Sequence, residues 1–152
     1  MGHLIELVFD ELLSPTAEGI VSNLVSLAEV CLCAAADGVE RERNASVLEL
    51  VRAASSVASA MFQRMTLPGY GELKNVAIRV PKSGDRMDVE LNVNLSEVER
   101  PRAFAEALFL FAAQVSALNG AASYYAGLEP AVDEDTRLFT GNKRGPYQFP
   151  ER

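Results

Sequence analysis

Residues 87–95 constrain the fold more than any other part of the chain, because apolar and polar residues alternate there without exception. The apolar positions are Met87, Val89, Leu91, Val93 and Leu95, and the polar positions are Asp88, Glu90, Asn92 and Asn94. Strict alternation predicts a β-strand with one buried face and one face in water. Residues 76–80 have the same period, and the turn residues 81–86 join the two stretches, which predicts an antiparallel hairpin.

Three other segments repeat apolar residues at helical spacing. The first, residues 14–36, has Ser14 as the expected N-cap and Pro15 at the first helical position, and it should end at Asp37-Gly38. The second covers residues 46–65 and begins with the spacing of a capping box. The third, residues 101–118, is apolar nearly all round, which favours burial on two sides or contact with a second subunit.

These elements, with short strands at residues 3–9 and 121–126, predict an α+β fold in the order β-α-α-β-β-α-β. We expect a small antiparallel sheet of about four strands, with three helices packed mainly on one face. Residues 1–140 are predicted to form a single α+β domain, and residues 141–152 an irregular C-terminal tail. A chain of 152 residues can bury a sufficient core without a disulfide or a metal.

The charge of the chain restricts its partners. There are 21 acidic and 14 basic residues, which gives a net charge of −7. Nucleic acids and anionic membranes both bind through Lys and Arg, so we predict neither as a partner. The complementary partner is a basic protein surface. Acidity that only keeps the chain soluble is the alternative.

The sequence predicts a cytoplasmic protein. Residues 1–6 lack the basic and then apolar pattern of a secretory signal. The most apolar stretch, residues 20–36, contains polar residues and is too short to span a bilayer comfortably. Cys31 and Cys33 fall in this stretch and are expected to be small core residues in a reducing compartment.

Residues suited to catalysis are scarce. His3 is the one histidine, so no other imidazole is available to activate a Ser or Cys nucleophile. Four acidic residues between positions 129 and 135 could hold a divalent cation or act as an acid–base pair, but they lack the spacing of an EF-hand loop. We therefore predict no catalytic residue, no metal and no cofactor, and expect this segment to be a solvated turn or a partner contact.

Two acidic surfaces are the candidate partner-binding sites: the polar side of the strand at residues 87–95, and the acidic segment at residues 129–135. The predicted partner-binding residues are Asp88, Glu90, Asn92, Glu129, Asp133, Glu134 and Asp135. A sheet face of short acidic and amide groups is rigid and suits hydrogen bonding to a basic partner. An ordinary solvated sheet face would have the same composition.

In size, charge and these two surfaces the chain resembles bacterial toxin-immunity proteins. Members of this class are small, acidic proteins that neutralise a toxin by covering its active site. The resemblance implies a non-catalytic inhibitor of a toxin that acts in the cytoplasm, such as a nuclease or a nucleotide-modifying enzyme. The acidic groups would then take the place of the phosphates of the toxin's substrate.

Two other functions fit the same features. Acidic secretion chaperones are similar in size and charge and act as dimers, and the helix at residues 101–118 could supply the face of a homodimer. A chaperone would hold an extended client in apolar grooves, whereas an immunity protein would hold a folded toxin through a charged patch. The third alternative is an enzyme that uses Glu129, Asp133, Tyr124 and Tyr125, which a substrate-dependent rise in melting temperature would support.

Overall fold

The structure is a computed structural model that describes residues 3–42 and 45–150. In these residues nine strands form one antiparallel sheet, in the order β3-β2-β4-β5-β6-β1-β7-β8-β9. The strands are β1 Leu4–Leu12, β2 Ala28–Ala36, β3 Val39–Arg41, β4 Val57–Leu67, β5 Gly71–Ser83, β6 Arg86–Asn94, β7 Tyr124–Leu128, β8 Arg137–Thr140 and β9 Lys143–Arg144. The α-helices are α1 Ser14–Ser26, α2 Val47–Ala53 and α3 Pro101–Asn119.

The prediction of about four strands is wrong, although the chain is still α+β overall. Residues 28–36 and 57–65, which we expected to continue the first two helices, lie in the strands β2 and β4. β4 lies between β2 and β5, so its backbone hydrogen bonds come from both neighbours and not from its own turns. Cys33, expected in a helical core, is exposed in β2. Short apolar runs fit both periods, and long-range pairing decides between them.

The Asp37-Gly38 pair is a hairpin turn and not the end of a helix. It joins β2 to β3, and both residues have positive φ angles, 53° for Asp37 and 79° for Gly38. Asp and Gly tolerate this left-handed conformation, which two-residue hairpins favour. The Asp37 carboxylate accepts the backbone N–H groups of Ser55, Ser56 and Val57 at 2.6–3.0 Å. These bonds lower the pKa of Asp37 and tie the turn to the start of β4.

The core lies between the helices and one face of the sheet. Ile20, Leu24 and Phe104 are fully buried in it. Where α1 meets α3, the side-chain amide of Asn119 donates to Asn23 Oδ1 at 2.7 Å. A Cβ atom at Gly19 would overlap the Asn119 side chain, so any larger residue there would displace the amide that bonds Asn23.

The outer side of α3 keeps apolar residues in solvent. Leu110 and Leu118 are both exposed there. The predicted homodimer contact through this helix therefore stays a prediction.

Residues 141–150 contact both the sheet and α3. β9 pairs with β8, and the Arg144 guanidinium donates to both carboxylate oxygens of Glu106 at 2.7 and 2.8 Å. Phe149 is buried against the core. The last two residues of the predicted tail lie outside the described residues, and the domain boundary at residue 140 stays a prediction.

Candidate protein-binding face

The face of the sheet opposite the helices is the candidate site, and we call it the open face. Two rows of side chains cross six strands on it, each residue directly opposite the next. The first row is Met61, Ala77, Asn92, Glu6, Gly127 and Arg137. The second row is Ser59, Arg79, Glu90, Val8, Tyr125 and Thr140. In these two rows the open face is uncharged at β4 and acidic at β6 and β1.

The predicted residues of β6 lie on this face. Asp88, Glu90 and Asn92 are all partly buried and point away from the helices. Glu90, Asn92 and Glu129 line one shallow depression of about 430 Å³. Its other lining residues are Leu4, Glu6, Met61, Asn75, Ala77, Arg79, Asn94 and Glu97. The depression therefore brings one residue of the acidic segment beside the acidic strand.

The acidic segment, residues 129–135, is held on the open face by its backbone. Ala131 N–H donates to Glu6 Oε1 at 2.9 Å, and Arg137 Nε donates to the carbonyl of Ala131 at 3.0 Å. Ala131 is fully buried. Asp133, Glu134 and Asp135, which follow it, are exposed. Because Glu6 and Arg137 both belong to the open face, the two predicted surfaces adjoin on one side of the molecule.

Sequence reasoning did not assign four residues to this face: Glu6 and Asp10 on β1, Tyr125 on β7 and Arg137 on β8. Tyr125 was named only for the alternative of an enzyme. The guanidinium carbon of Arg137 lies 4.2 Å from the centre of the Tyr125 ring. Glu6 alternates with buried residues of β1, so the local sequence pattern was sufficient to predict that it faces solvent. Its place beside Asn92 depends on the pairing of β1 with β6, which no local pattern contains.

The carboxylates on the open face repel one another. The Glu90 side chain is 14% exposed and bonds Arg79 Nη1 at 3.1 Å. Burial raises the pKa of Glu90. The negative charges of Glu6 and Asp88 raise this pKa further, and Arg79 opposes the rise. Burial also raises the pKa of Tyr125, with contributions from Asp10 and Asp88. A cation placed on this face would relieve the repulsion.

Glu90→Gln tests whether the buried charge of Glu90 destabilises the folded protein. Because the folded protein raises the pKa of Glu90, protonation favours folding. That stabilisation is complete below the unfolded pKa and is lost as the pH rises through the folded pKa. We expect Glu90→Gln, which stays neutral, to melt a few degrees above the parent at pH 7 and together with it near pH 3.5.

Thermal melts followed by circular dichroism between pH 3.5 and 7.5 measure this difference. Asp85→Asn is the matched control, since that carboxylate is exposed in the turn between β5 and β6. A variant that melts below the parent at pH 7 would show that the bond to Arg79 outweighs the burial of Glu90.

Residues 3–42 and 45–150 contain neither a metal-binding cluster nor a membrane-spanning helix. No group of three or more His, Cys, Asp or Glu side chains is arranged to hold a metal ion. No helix in the same ranges is long and apolar enough to cross a membrane.

Comparison with known proteins defines the class of the chain as an immunity protein. A family model matches residues 3–144, almost the whole length, and the chain belongs to the PABL017 Cdi1I immunity protein family. The predicted resemblance to toxin-immunity proteins is therefore confirmed. No curated protein sequence matches the chain.

A solved structure shares the fold. It is a chain in the 1.75 Å crystal structure of the toxic C-terminal tip of CdiA from Pseudomonas aeruginosa in complex with immune protein. The TM-score is 0.78 at 20% sequence identity, and the match covers 97% of this chain and 100% of that chain.

Proposed function

We propose that this chain is a non-catalytic inhibitor that binds a toxin related to the C-terminal tip of CdiA and covers the toxin's basic active site. Membership of an immunity protein family supports a toxin as the partner. The observation that carries the mode of binding is the hydrogen bond from Ala131 N–H to Glu6, which joins the acidic segment to the acidic open face.

The electrostatics of the two surfaces favour a basic partner. An enzyme that acts on nucleic acid or nucleotides presents cationic groups to phosphates. Carboxylates of the inhibitor would occupy the same positions, since they are also anionic acceptors. Complementary charge would also accelerate association, and this acceleration would weaken as salt screens the charges. The encounter would take place in the cytoplasm, where a nucleic-acid substrate is present.

The open face has the dimensions of a protein interface. Six strands about 4.8 Å apart span about 24 Å, which suits one side of a standard interface of about 800 Å² per partner. The face carries an exposed methionine, Met61, at one end, and a tyrosine and an arginine, Tyr125 and Arg137, toward the other. Met, Tyr and Arg are enriched in interfaces. The proposed contact residues remain Asp88, Glu90, Asn92, Glu129, Asp133, Glu134 and Asp135.

The test begins with the native partner. The tagged chain is used to capture proteins from its own cells, and the captured protein is identified by mass spectrometry and purified. We expect a basic toxin domain that arrests growth when expressed alone and does not arrest growth when this chain is co-expressed. An extended client held in an apolar groove, or a captured protein whose toxicity this chain does not relieve, would contradict the proposal.

Neutralising the exposed end of the acidic segment tests its part in binding. We expect Asp133→Ala, Glu134→Ala and Asp135→Ala together to raise the toxin Kd about tenfold, mainly through slower association, because rim charges act on the association rate. The melting temperature should stay within about 1 °C of the parent, since exposed substitutions cost little.

Biolayer interferometry at 50 and 300 mM NaCl separates the rates, and the loss should be smaller at the higher salt. A control triple variant, Glu42→Ala, Glu49→Ala and Glu99→Ala, removes the same charge from exposed positions elsewhere. Equal affinity of the parent and the Asp133–Asp135 variant would restrict the interface to the open face.

A further inference from the structure

We propose that the toxin inserts an arginine side chain into the depression of the open face, with its guanidinium on Asn92 and Glu6 and its stem along Ala77 and Met61. This inference rests on the proposed function and specifies which chemical group of the toxin the open face recognises. Four observations support it: an unpaired acceptor, a fixed carboxylate beside it, an apolar side to the same row, and a local excess of negative charge.

The unpaired acceptor is the side-chain oxygen of Asn92. Asn92 Oδ1 is buried and has no hydrogen-bond partner among the described residues. Buried polar atoms without partners are rare in folded proteins, because the loss of water is not compensated. Asn92 lines the open depression, and a turn of its side chain would present this oxygen to a donor from another protein. The free chain therefore lacks a hydrogen bond that a bound partner could supply.

The fixed carboxylate belongs to Glu6, which lies directly opposite Asn92 across the β1–β6 pair. Glu6 Oε1 already accepts the N–H of Ala131, so the carboxylate is held in one orientation and its other oxygen is left for a second donor. In the neighbouring row, Glu90 is similarly held by a hydrogen bond from Arg79. An acceptor that is already oriented loses little entropy when a ligand binds.

The apolar side of the row distinguishes arginine from lysine. Next to Asn92 come Ala77 and then Met61, which is 38% exposed. Both long basic side chains can lay an apolar stem on such a surface. Only guanidinium offers two donors in a planar fork, which matches an amide oxygen and a carboxylate oxygen on neighbouring strands. It is also more weakly hydrated than an ammonium group, so it enters a partly buried site more easily.

The excess charge favours a cation over a neutral donor. Among the described residues, the depression is lined by four carboxylates, those of Glu6, Glu90, Glu97 and Glu129, and by one cation, Arg79. Arg79 is already paired with Glu90. The remaining negative charge is complementary to a further guanidinium.

The first experiment needs no toxin. N-acetyl-arginine amide and N-acetyl-lysine amide are titrated separately into isotope-labelled protein at low ionic strength, and amide chemical shifts are followed by NMR up to 50 mM. We expect the Asn92 side-chain amide and the backbone of Glu6 to shift with the arginine probe, with an apparent affinity about fivefold above that of the lysine probe. Asn92→Leu should remove this preference. Equal shifts with both probes, or no shift at Asn92 with either, would overturn the proposal.

The second experiment uses the captured toxin and the same variant. We expect Asn92→Leu to raise the toxin Kd at least tenfold without lowering the melting temperature, because an unpaired buried acceptor is replaced by an apolar group of similar size. A variant that only damaged the fold would lower the melting temperature as well as the affinity for the toxin. Gln114→Leu, at an exposed amide on α3, is the control for the added leucine.

The two experiments separate the failure of this inference from the failure of the proposed function. If Asn92→Leu binds the toxin as tightly as the parent, the arginine site is wrong while the inhibitor function stands. If the parent binds no toxin, the proposed function fails, and the inference fails with it whatever the arginine probe shows.

Discussion

Replacing both Glu6 and Glu90 with Lys is expected to raise the toxin Kd about 1000-fold or more and to abolish protection in the growth assay. Removing one partner of a buried, hydrogen-bonded charge pair at an interface costs about 2–5 kcal/mol, and each tenfold in Kd corresponds to about 1.4 kcal/mol. Two charge reversals at the centre of the open face should therefore cost more affinity than the substitutions in the exposed acidic segment. They also add repulsion against a basic partner.

Glu6 also anchors the acidic segment, so the reversal could displace that segment as well. The pair Glu6→Gln and Glu90→Gln separates the two effects, because Gln keeps an acceptor for Ala131 N–H and removes only the charge. We expect this milder variant to lose at least tenfold in affinity for the toxin. Its circular dichroism spectrum should match that of the parent, and its melting temperature should be no lower.

Isothermal titration calorimetry gives the affinities, and growth with co-expressed toxin gives the protection. The matched control reverses two exposed charges elsewhere, Glu49→Lys and Glu99→Lys, for the same change in net charge. If the control loses as much affinity as the reversal at Glu6 and Glu90, then net charge and not the open face controls binding. Affinity within tenfold of the parent for the Glu6 and Glu90 reversal would remove the open face from the interface.

Replacing Phe104 with Ala is expected to cost about 3–5 kcal/mol of stability, which is a large part of the 5–15 kcal/mol typical of folded domains. Phe104 is 0% exposed in the first turn of α3. Its ring packs edge-to-face on Tyr70, with the ring centres 5.8 Å apart. Alanine would leave a cavity at this contact between α3 and the segment before β5, and a packed core closes such cavities only in part.

Urea unfolding at 25 °C measures this loss, and a lower midpoint with an unchanged slope is expected. Leu110→Ala on the same helix is the control, since Leu110 is 56% exposed and its truncation should cost less than about 0.5 kcal/mol. The folded fraction of Phe104→Ala should bind the toxin with the affinity of the parent, because Phe104 lies on the helix side of the sheet. A cost below about 1 kcal/mol would mean that the site collapses without strain.

The sequence predicted those elements whose local pattern matches their final environment. The alternation in β6 persists in the structure because one face of that strand meets the core and the other meets solvent. The same pattern put Asp88, Glu90 and Asn92 on the wet face. Helix α3 extends over Pro101–Asn119, close to the predicted residues 101–118, and Gly120 ends it with a φ of 73°.

Long-range pairing decided the rest of the fold. The residues of β2, AEVCLCAAA, have little intrinsic preference for strands, yet they form one between β3 and β4. Their pairing with β4 joins residues that are far apart in sequence, from Ala28 with Met65 to Ala36 with Ala58. A periodicity test reads only neighbouring positions, so it could not distinguish this strand from a helix.

The sequence by itself therefore determined the acidity of the chain, the wet face of β6 and the acidic segment, because these depend on composition and on local period. Only the tertiary structure decided that the two acidic surfaces adjoin. Glu6, Asn92 and Ala131 come from distant parts of the chain, and they meet because β1 pairs with β6 on one side and with β7 on the other. Strand register is a property of the whole sheet, since each strand's faces are set by the core that all of them share.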